Sequence, residues 1–381
     1  MPTHILAAIA LNASTLKRAN WVIRDFLWHG RKDAASGCCP ANWRRVCMPF
    51  GLGGLGVRDL FHVGIALRVR WLWLQHTDHN RPWKHLQLPH DAEVHAIFRA
   101  STTWIIGDGH SCRFWTDHWI QGQCVAEFAP AILALVPKRR RKARSVADGL
   151  HLRSWTQDIQ GALGPLAALQ YLERWRRVRD IPLSSTPDAI RWRWTTSGIY
   201  SAKSCCNALF LGSTSAPHAK LIWKTWAPLC YKVFIWLVTL DRCWTTERRA
   251  RHGLSHSPTW VLYGQTLETI DHLLVGCPFS REIWHRVLSS FRLTAAIPTA
   301  QDRFIDLWSA ATLNTPHSLR KGFASLVVLT AWSLWRHCNA VLFDSARPSA
   351  DLVTQSILDE SRTWALVGAR GLAAITQFEP P

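Results

Sequence analysis

Apolar side chains recur every three or four residues along much of the chain, which is the spacing of an amphipathic helix. The pattern predicts one or two helices over residues 5–30, a helix over 60–75 and another over 323–343. Between residues 221 and 254 it predicts a pair of helices interrupted by Pro228, because proline breaks a helix interior. The pattern therefore favours a mainly α-helical chain.

One stretch departs from the helical spacing. In residues 101–120, STTWIIGDGHSCRFWTDHWI, a short β-like run ends at the Gly-Asp-Gly of residues 107–109, and a second run continues through Phe114 and Trp115. Such a glycine-flanked aspartate is typical of a hairpin turn, so we predict a β-hairpin here. The predicted fold class is mainly α with short β-hairpins (α+β), with a helical connection region followed by a small zinc-knuckle-like helical domain.

Residues 38–60, CCPANWRRVCMPFGLGGLGVRDL, superficially resemble a glycine-rich dinucleotide-binding loop. Such a loop follows a strand and opens a helix. No clear strand precedes these glycines, and Met48-Pro49 interrupts the approach. We interpret the stretch as a turn in which two backbone segments come close together.

The composition is that of a globular chain with a strongly basic balance. Of 381 residues 48% are hydrophobic and 19% are charged, and 45 Lys and Arg outnumber 26 Asp and Glu for a net charge of +19. This excess favours polyanionic partners, because each neutralised phosphate releases counterions. A basic surface that is merely solvated is the alternative.

The cysteines and the apolar runs bear on the compartment. Eleven cysteines are scattered, with adjacent pairs at Cys38–Cys39 and Cys205–Cys206, which indicates a reducing environment. No basic residue precedes the N-terminal ILAAIAL, and the longest apolar run, SLVVLTAWSLW, is too short to span a membrane. We expect a nuclear or cytoplasmic protein that is neither secreted nor membrane-spanning.

One segment, PTWVLYGQTLETIDHLLVGCPFSREIW, has half of a zinc-binding pattern. His272 and Cys277 are spaced like the second half of a zinc knuckle, but Trp260 and Tyr263 stand where a Cys-x2-Cys pair would begin it. Taken alone, a histidine and a cysteine in an apolar run are more often core residues than ligands. The pattern thus leaves open a degenerate metal site and an ordinary hydrophobic segment.

Motifs along nearly the whole chain together resemble one family. In order they are FLWHG, NWRRVCMPFGLGGLGVRDL, ALRVRWLW, IIGDGHSCRFWTDHW, GIYSAKS, IWKTWAPLCYKVFIWL and ETIDHLLVGCPFSREIW. They look like the region downstream of the polymerase in plant LINE-type, non-LTR retrotransposon reverse transcriptases, and LWRHCNAVLFDS resembles the helix that follows. The resemblance implies a region downstream of the palm at 1–125, a basic linker with helices at 126–190, a reverse-transcriptase zinc-binding-like domain at 191–290 and a C-terminal helical region at 291–381.

The chain departs from this family in its catalytic residues. A polymerase needs paired carboxylates to hold two metal ions, which the family supplies in an aromatic-x-Asp-Asp turn. No Asp-Asp pair occurs in this sequence, and no acidic cluster suggests a ribonuclease H or endonuclease site. We therefore expect a non-catalytic fragment and not an enzyme.

The second departure concerns the zinc ligands. The family pattern, Cys-x2-Cys-x8-His-x4-Cys, falls here on Trp260, Tyr263, His272 and Cys277. An indole cannot ligate a metal, and a phenol is a poor ligand at neutral pH. We expect that zinc was bound ancestrally and is not retained, with the two aromatic rings filling the vacated volume. Rescue by upstream donors is the alternative, although their spacing is wrong; these are Cys243, His252 and His256.

The expected activity is salt-sensitive binding of RNA or single-stranded DNA, with little sequence preference. Arginines beside tryptophans, as in RWRW and LERWRRVR, could also stack on unpaired bases. A structural or protein-interaction module, or an inert transposon remnant, is the rival interpretation, and other retrotransposon proteins are possible partners. The residues expected to contact phosphates are Lys138, Arg139, Arg140, Arg141, Lys142, Arg144, Arg174, Arg176, Arg177 and Arg179.

Overall fold

The computed structural model describes residues 3–30, 39–78, 91–253, 269–300 and 302–376. The first part contains α1 Thr3–Ala8, α2 Ala13–His29, α3 Trp43–Cys47, α4 Leu60–Thr77, α5 Ala92–Ser101, β1 Thr102–Ile105, α6 Val125–Phe128, α7 Pro130–Ala134, α8 Lys138–Ala143, α9 Val146–Leu150, α10 Pro165–Val178 and β2 Ala189–Trp192. The remainder contains α11 Ala202–Ala208, α12 Ala219–Lys224, α13 Leu229–Thr239, α14 Thr246–Arg251, α15 Pro278–Ser290, α16 Phe304–Asn314, α17 Arg320–Phe343, α18 Ala350–Leu366 and α19 Arg370–Thr376. Short 3₁₀ helices lie at Phe50–Leu52, His151–Asp158 and Thr294–Ala296, and a π-helix at His272–Gly276.

The fold class agrees with the prediction, since the described residues are mostly helical. The helices predicted at 5–30, 60–75 and 323–343 are confirmed as α1 and α2, α4, and α17. Pro228 directly precedes α13, as the predicted interruption requires. Polar side chains begin several of these helices: Asp59, for example, accepts the Phe61 N–H at 2.8 Å at the start of α4.

The chain forms two compact units, one of residues 1–27 and 58–212 and the other of 28–57 and 213–381. These units are defined by which residues lie close together in space. The sequence prediction instead divides the chain into four segments, at 1–125, 126–190, 191–290 and 291–381. That segment division stays a prediction.

The sheet does not have the predicted hairpin partner. β1 pairs antiparallel with β2, Thr102 opposite Trp192 and Ile105 opposite Ala189, so the two strands come from distant parts of the sequence. Phe114 and Trp115 are consecutive and both fully buried, whereas neighbours in a strand point to opposite faces. They belong to the core of the first unit, and the prediction of a second strand there is wrong.

The Gly-Asp-Gly turn after β1 is instead folded around a distant carboxylate. Asp188 accepts the backbone N–H groups of Gly107 and Gly109 on Oδ1, at 2.8 and 2.9 Å. Its Oδ2 accepts those of Ser111 and Cys112, at 2.9 and 3.1 Å. A Cβ on Gly107 would lie 2.1 Å from the Thr186 carbonyl, so only glycine fits this approach.

Aromatic side chains dominate the core of the first unit. One cluster is built around Phe114, Trp115 and Trp155, with Phe114 and Trp155 ring centroids 6.0 Å apart. A second cluster joins α4, α5, β2 and α11 around Trp192, whose Nε1 donates to Ser204 Oγ at 2.9 Å. The many tryptophans of the sequence are thus largely explained by packing.

In the second unit, the core is helical and centred on α17. Half of the residues of α17 are buried, and it packs against α13, α16, α18 and α19. A Cβ on Gly322 would lie 2.1 Å from the Gly371 carbonyl, so glycine allows α17 and α19 to cross closely. The run SLVVLTAWSLW, expected to be too short to span a membrane, is part of the 24-residue helix α17. By length and composition α17 is the one helix in the described part of the chain that could cross a membrane, which corrects that expectation, and 44% of its most apolar stretch is buried. The described residues therefore give no indication of a membrane protein with several spans.

The glycine-rich loop before α4 is a tight turn, as predicted. Gly53 has φ of +80°, and a Cβ on Gly54 would lie 2.0 Å from the Met48 carbonyl. The indole Nε1 of Trp236 donates to the Gly53 carbonyl at 2.8 Å. The glycines therefore serve close backbone approach within the second unit and provide no nucleotide-binding loop.

We expect Asp188→Ala to lower the free energy of unfolding by about 2–4 kcal/mol, because four backbone N–H groups lose their acceptor. Asp188→Asn, which keeps one acceptor oxygen, should cost about half as much. Urea unfolding of the full chain, followed by tryptophan fluorescence, measures both. An Asp188→Ala midpoint equal to that of the parent would contradict the assigned role.

Candidate nucleic-acid interface and remnant metal positions

The basic tract KRRRKA forms the short helix α8 and is not an extended linker. Like charges four residues apart destabilise a helix, so its own sequence does not favour this conformation. Contacts with neighbouring backbone compensate: Arg141 Nε donates to the Val136 carbonyl at 2.6 Å. The four cations exposed on this helix are Lys138, Arg139, Arg140 and Lys142.

A buried carboxylate anchors the end of this helix. Asp158 accepts two hydrogen bonds from Arg144, at 2.8 and 2.5 Å, and one from the Trp115 indole at 2.9 Å. Burial alone would raise the pKa of Asp158, but these bonds and the arginine charges hold it below its ordinary value. Arg144 is therefore a structural cation that ties α8 to the aromatic core.

Arg174 requires a correction, because it lies in the core and not on the surface. Its guanidinium carbon lies 3.9 Å from the Trp115 ring centroid, 4.5 Å from that of Phe114 and 4.7 Å from that of Trp155. None of its three nitrogens makes a hydrogen bond in the described structure. Burial lowers the pKa of Arg174 to about 9. A side chain fully buried among three rings cannot contact a phosphate.

The other arginines of α10 and its C-terminal end differ in their availability. Arg177 is half-buried and bonds to Glu173 at 2.7 Å and to Gln123 at 2.9 Å. Arg179 is exposed but paired with Asp180 at 2.7 Å. Arg176 is exposed on the solvent side of α10.

The ten predicted phosphate contacts thus fall into separate groups. Within the described part of the chain, no carboxylate lies within ion-pair distance of Lys138, Arg139, Lys142 or Arg176. The Arg140 side chain is 62% exposed, and its Nε lies 4.0 Å from Asp158 Oδ1, so this ion pair is weak. Arg141, Arg144 and Arg177 are occupied by internal bonds. An exposed group of cations remains at α8 and on α10.

Of the two remaining zinc-knuckle positions, Cys277 is part of a hydrophobic core and His272 is half-buried. His272 begins the π-helix, and Cys277 follows it, donating its N–H to the His272 carbonyl at 2.8 Å. Cys277 is fully buried, as are the three residues of the π-helix that precede Gly276. Burial and the nearby Arg281 lower the pKa of His272. Packing against α15 and α17 holds this segment.

The donor set does not fit a closed zinc site. Trp260, Tyr263 and His256 lie outside the described residues. The indole and the phenol of the first two supply no thiolate. Burial raises the pKa of the Cys243 thiol to about 12, which disfavours the thiolate that metals bind. The His252 ring packs against the Trp244 ring, with their centroids 5.5 Å apart. In the part that the structure describes, no third donor joins His272 and Cys277 in a metal-holding group.

The sequence reasoning missed one cluster of chemically versatile side chains. His118, Cys124 and Glu127 lie together in the first unit. Burial alone would raise the pKa of Cys124, but the hydrogen bond and charge of His118 hold it below its ordinary value. The spacing His-x5-Cys-x2-Glu was the available signal, although it matches no common metal motif.

A family comparison agrees with the segment that carries the knuckle positions. Residues 200–284 match the model of a family described as zinc-binding in reverse transcriptase. The match lies within the predicted segment 191–290 and confirms the resemblance on which that segment was assigned. The chain therefore carries a domain of the reverse-transcriptase zinc-binding class.

A curated relative extends this similarity beyond the domain. Over 328 residues the chain is 26% identical to an Arabidopsis thaliana protein named "Putative ribonuclease H protein", covering 77% of this chain and 51% of the relative. The chain thus spans about half the length of the curated relative that it matches. No solved structure matches. Together, the comparisons show that the chain is similar to retrotransposon-related proteins.

We expect Arg174→Met to raise the free energy of unfolding by about 1–2 kcal/mol, because it removes a buried charge that no hydrogen bond compensates. Arg176→Met, on the exposed side of the same helix, is the matched control and should change stability by less than about 0.5 kcal/mol. Urea unfolding measures both. A less stable Arg174→Met variant would mean that the ring contacts outweigh the cost of burial.

Proposed function

We propose that the chain is a non-catalytic fragment of a plant LINE-type reverse transcriptase that binds RNA or single-stranded DNA. The observation that carries this proposal is the exposed, unpaired group Lys138, Arg139 and Lys142 on a helix anchored to the core. Arg144 and Asp158 hold that helix in place, so its cations are presented by a fixed scaffold. Arg140 on α8 and Arg176 on α10 are further exposed cations of the first unit.

Electrostatics of nucleic acids support this choice of ligand. Each cation that neutralises a phosphate releases counterions, so a surface of three to five free cations gives sequence-tolerant, salt-dependent affinity. The net charge of +19 adds long-range attraction. The Trp175 ring lies on the arginine-rich helix α10, half-buried beside Arg153, and offers a stacking surface.

The absence of catalysis is part of the proposal. The relative is named as a putative ribonuclease H protein. Hydrolysis of a nucleic-acid backbone by a two-metal nuclease needs clustered carboxylates that hold the metal ions. Among the described residues, the one group of three or more potential metal-binding side chains includes a single carboxylate, Glu127. This supports a binding role, without catalysis, for this chain.

Loss of zinc at the knuckle is likewise proposed. The buried π-helix and its packing against α15 and α17 provide a stabilisation that needs no metal. Residues Leu273, Leu274 and Val275 supply the apolar contacts there. A nuclear or cytoplasmic location is consistent with the cysteines, which are all unbridged in the described part of the chain.

A protein-interaction module is the second candidate, and one observation favours it. Leu166, Leu169 and Leu172 lie three residues apart along α10 and are 62%, 67% and 55% exposed. Together they form an apolar stripe, which is typical of a surface that binds another helix. Binding of nucleic acid by the parent chain distinguishes the first candidate from this one.

We expect the affinity for a mixed-sequence single-stranded oligonucleotide to fall steeply with salt, and Lys138→Gln/Arg139→Gln/Lys142→Gln to reduce the slope of log K against log salt by about 2. Three fewer phosphate contacts account for this change. Fluorescence anisotropy at several salt concentrations measures the slope.

The matched control is Lys321→Gln/Arg347→Gln/Arg370→Gln, which removes three exposed cations of the second unit and changes the net charge equally. Its slope should stay near that of the parent. Equal losses in both triple variants would show that only net charge matters. A salt-independent parent would exclude the proposed binding.

We expect the full-length variant Trp260→Cys/Tyr263→Cys to bind about one more zinc ion per chain than the parent, because four knuckle ligands are then present. The control variant Trp260→Ser/Tyr263→Ser has side chains similar in size to cysteine but no thiolate, and it should bind no more zinc than the parent. Elemental analysis of the purified proteins gives the stoichiometry. Parent zinc that disappears on His272→Gln would instead show a rescued site.

A further inference from the structure

Three potential metal ligands converge in the first unit, outside the segment that matches the zinc-binding family. The ligand atoms of His118, Cys124 and Glu127 all lie within 4.8 Å of one another. His118 Nε2 is 3.2 Å from Glu127 Oε1. A tetrahedral zinc ion with bonds of about 2.0–2.3 Å holds its ligand atoms about 3.3–3.7 Å apart, so small side-chain movements would complete the geometry.

Local backbone structure brings these side chains together. Gln121 and Gly122 have φ of 53° and 77°, and the chain reverses there, with Ile120 and Gln123 exchanging backbone hydrogen bonds. Positive φ at two successive central residues is the signature of a type I′ turn, for which Gly122 is well suited. Cys124 then lies directly before α6, close to the residues that precede the turn.

The helix α6 and strand β1 fix the two ends of the cluster. The Cys124 N–H donates to Glu127 Oε2 at 3.2 Å, which holds the carboxylate over the first turn. The His118 carbonyl accepts the Trp104 N–H at 2.8 Å and thereby attaches the histidine segment to β1. The ligands therefore need no large rearrangement before an ion binds.

Burial gives the cluster one closed side and one open side. His118 and Cys124 are 6% and 8% exposed, whereas the Glu127 side chain is 43% exposed. His118 Nδ1 is buried and has no hydrogen-bond partner in the described structure. Aromatic core residues, including Trp119, lie nearby in sequence and are buried. An ion could enter past Glu127 and keep one coordination position toward water.

We propose that His118, Cys124 and Glu127 bind a zinc-like divalent cation, with the fourth position open. One imidazole nitrogen, one thiolate and one carboxylate oxygen suit Zn²⁺ or Co²⁺, whereas Mg²⁺ and Ca²⁺ prefer oxygen ligands throughout. Binding displaces the thiol proton of Cys124 and replaces the contacts within the trio by bonds to the ion. This site is separate from the knuckle positions and is independent of the proposed nucleic-acid binding.

The proposal is tested by titrating the chelator-treated full-length protein with Co²⁺, which absorbs strongly when a thiolate binds it. The parent should bind about one ion with thiolate-to-cobalt absorption, and Cys124→Ser should lose that absorption. Glu127→Gln should weaken the affinity about tenfold or more. The fold should stay intact, because glutamine keeps an acceptor oxygen for the Cys124 N–H at a partly exposed position.

Two control variants separate this site from other thiols. Cys230→Ser removes an exposed cysteine, and Cys277→Ala removes the knuckle cysteine. Both should retain the absorption, with circular dichroism confirming that each variant is folded. The proposal is overturned if the parent binds no Co²⁺, if Cys124→Ser keeps the absorption, or if Cys277→Ala abolishes it in a folded protein.

Discussion

The carboxylate of Asp188 organises the first unit, because it satisfies four backbone N–H groups of a turn that has no regular structure of its own. Unsatisfied backbone donors are costly away from water, so the turn depends on this acceptor. Asp188 directly precedes β2, and the turn begins two residues after the end of β1. The same residues therefore close the two-stranded sheet and begin the segment that runs through Phe114 and Trp115 to His118.

Positive charge has two different roles in this unit. Arg174 lies among aromatic rings and Arg144 is held by Asp158, so both belong to the core. Lys138, Arg139 and Lys142 belong to the same basic sequence and face water. The ion pair of Arg144 with buried Asp158 positions the helix α8, which carries the exposed cations available to a polyanion.

The knuckle segment shows how a hydrophobic core can hold a region that resembles a metal domain. His272 and Cys277 flank buried leucine and valine side chains, and the Trp284 indole donates to the Leu274 carbonyl at 2.8 Å. Ser280 also donates to a carbonyl of this segment, that of Leu273. These contacts show that α15 supports the π-helix through packing and hydrogen bonds.

The sequence by itself determined the long amphipathic helices, because the spacing of apolar residues is a local property; the helices predicted at 60–75 and 323–343 follow directly from it. It also determined the family segment and the chemistry of the four knuckle positions. Only the tertiary structure decided that β1 pairs with β2, since strand pairing depends on contacts between distant residues. It also separated buried Arg174 from exposed Arg176, two residues apart on one helix, because burial depends on which helix face meets the core.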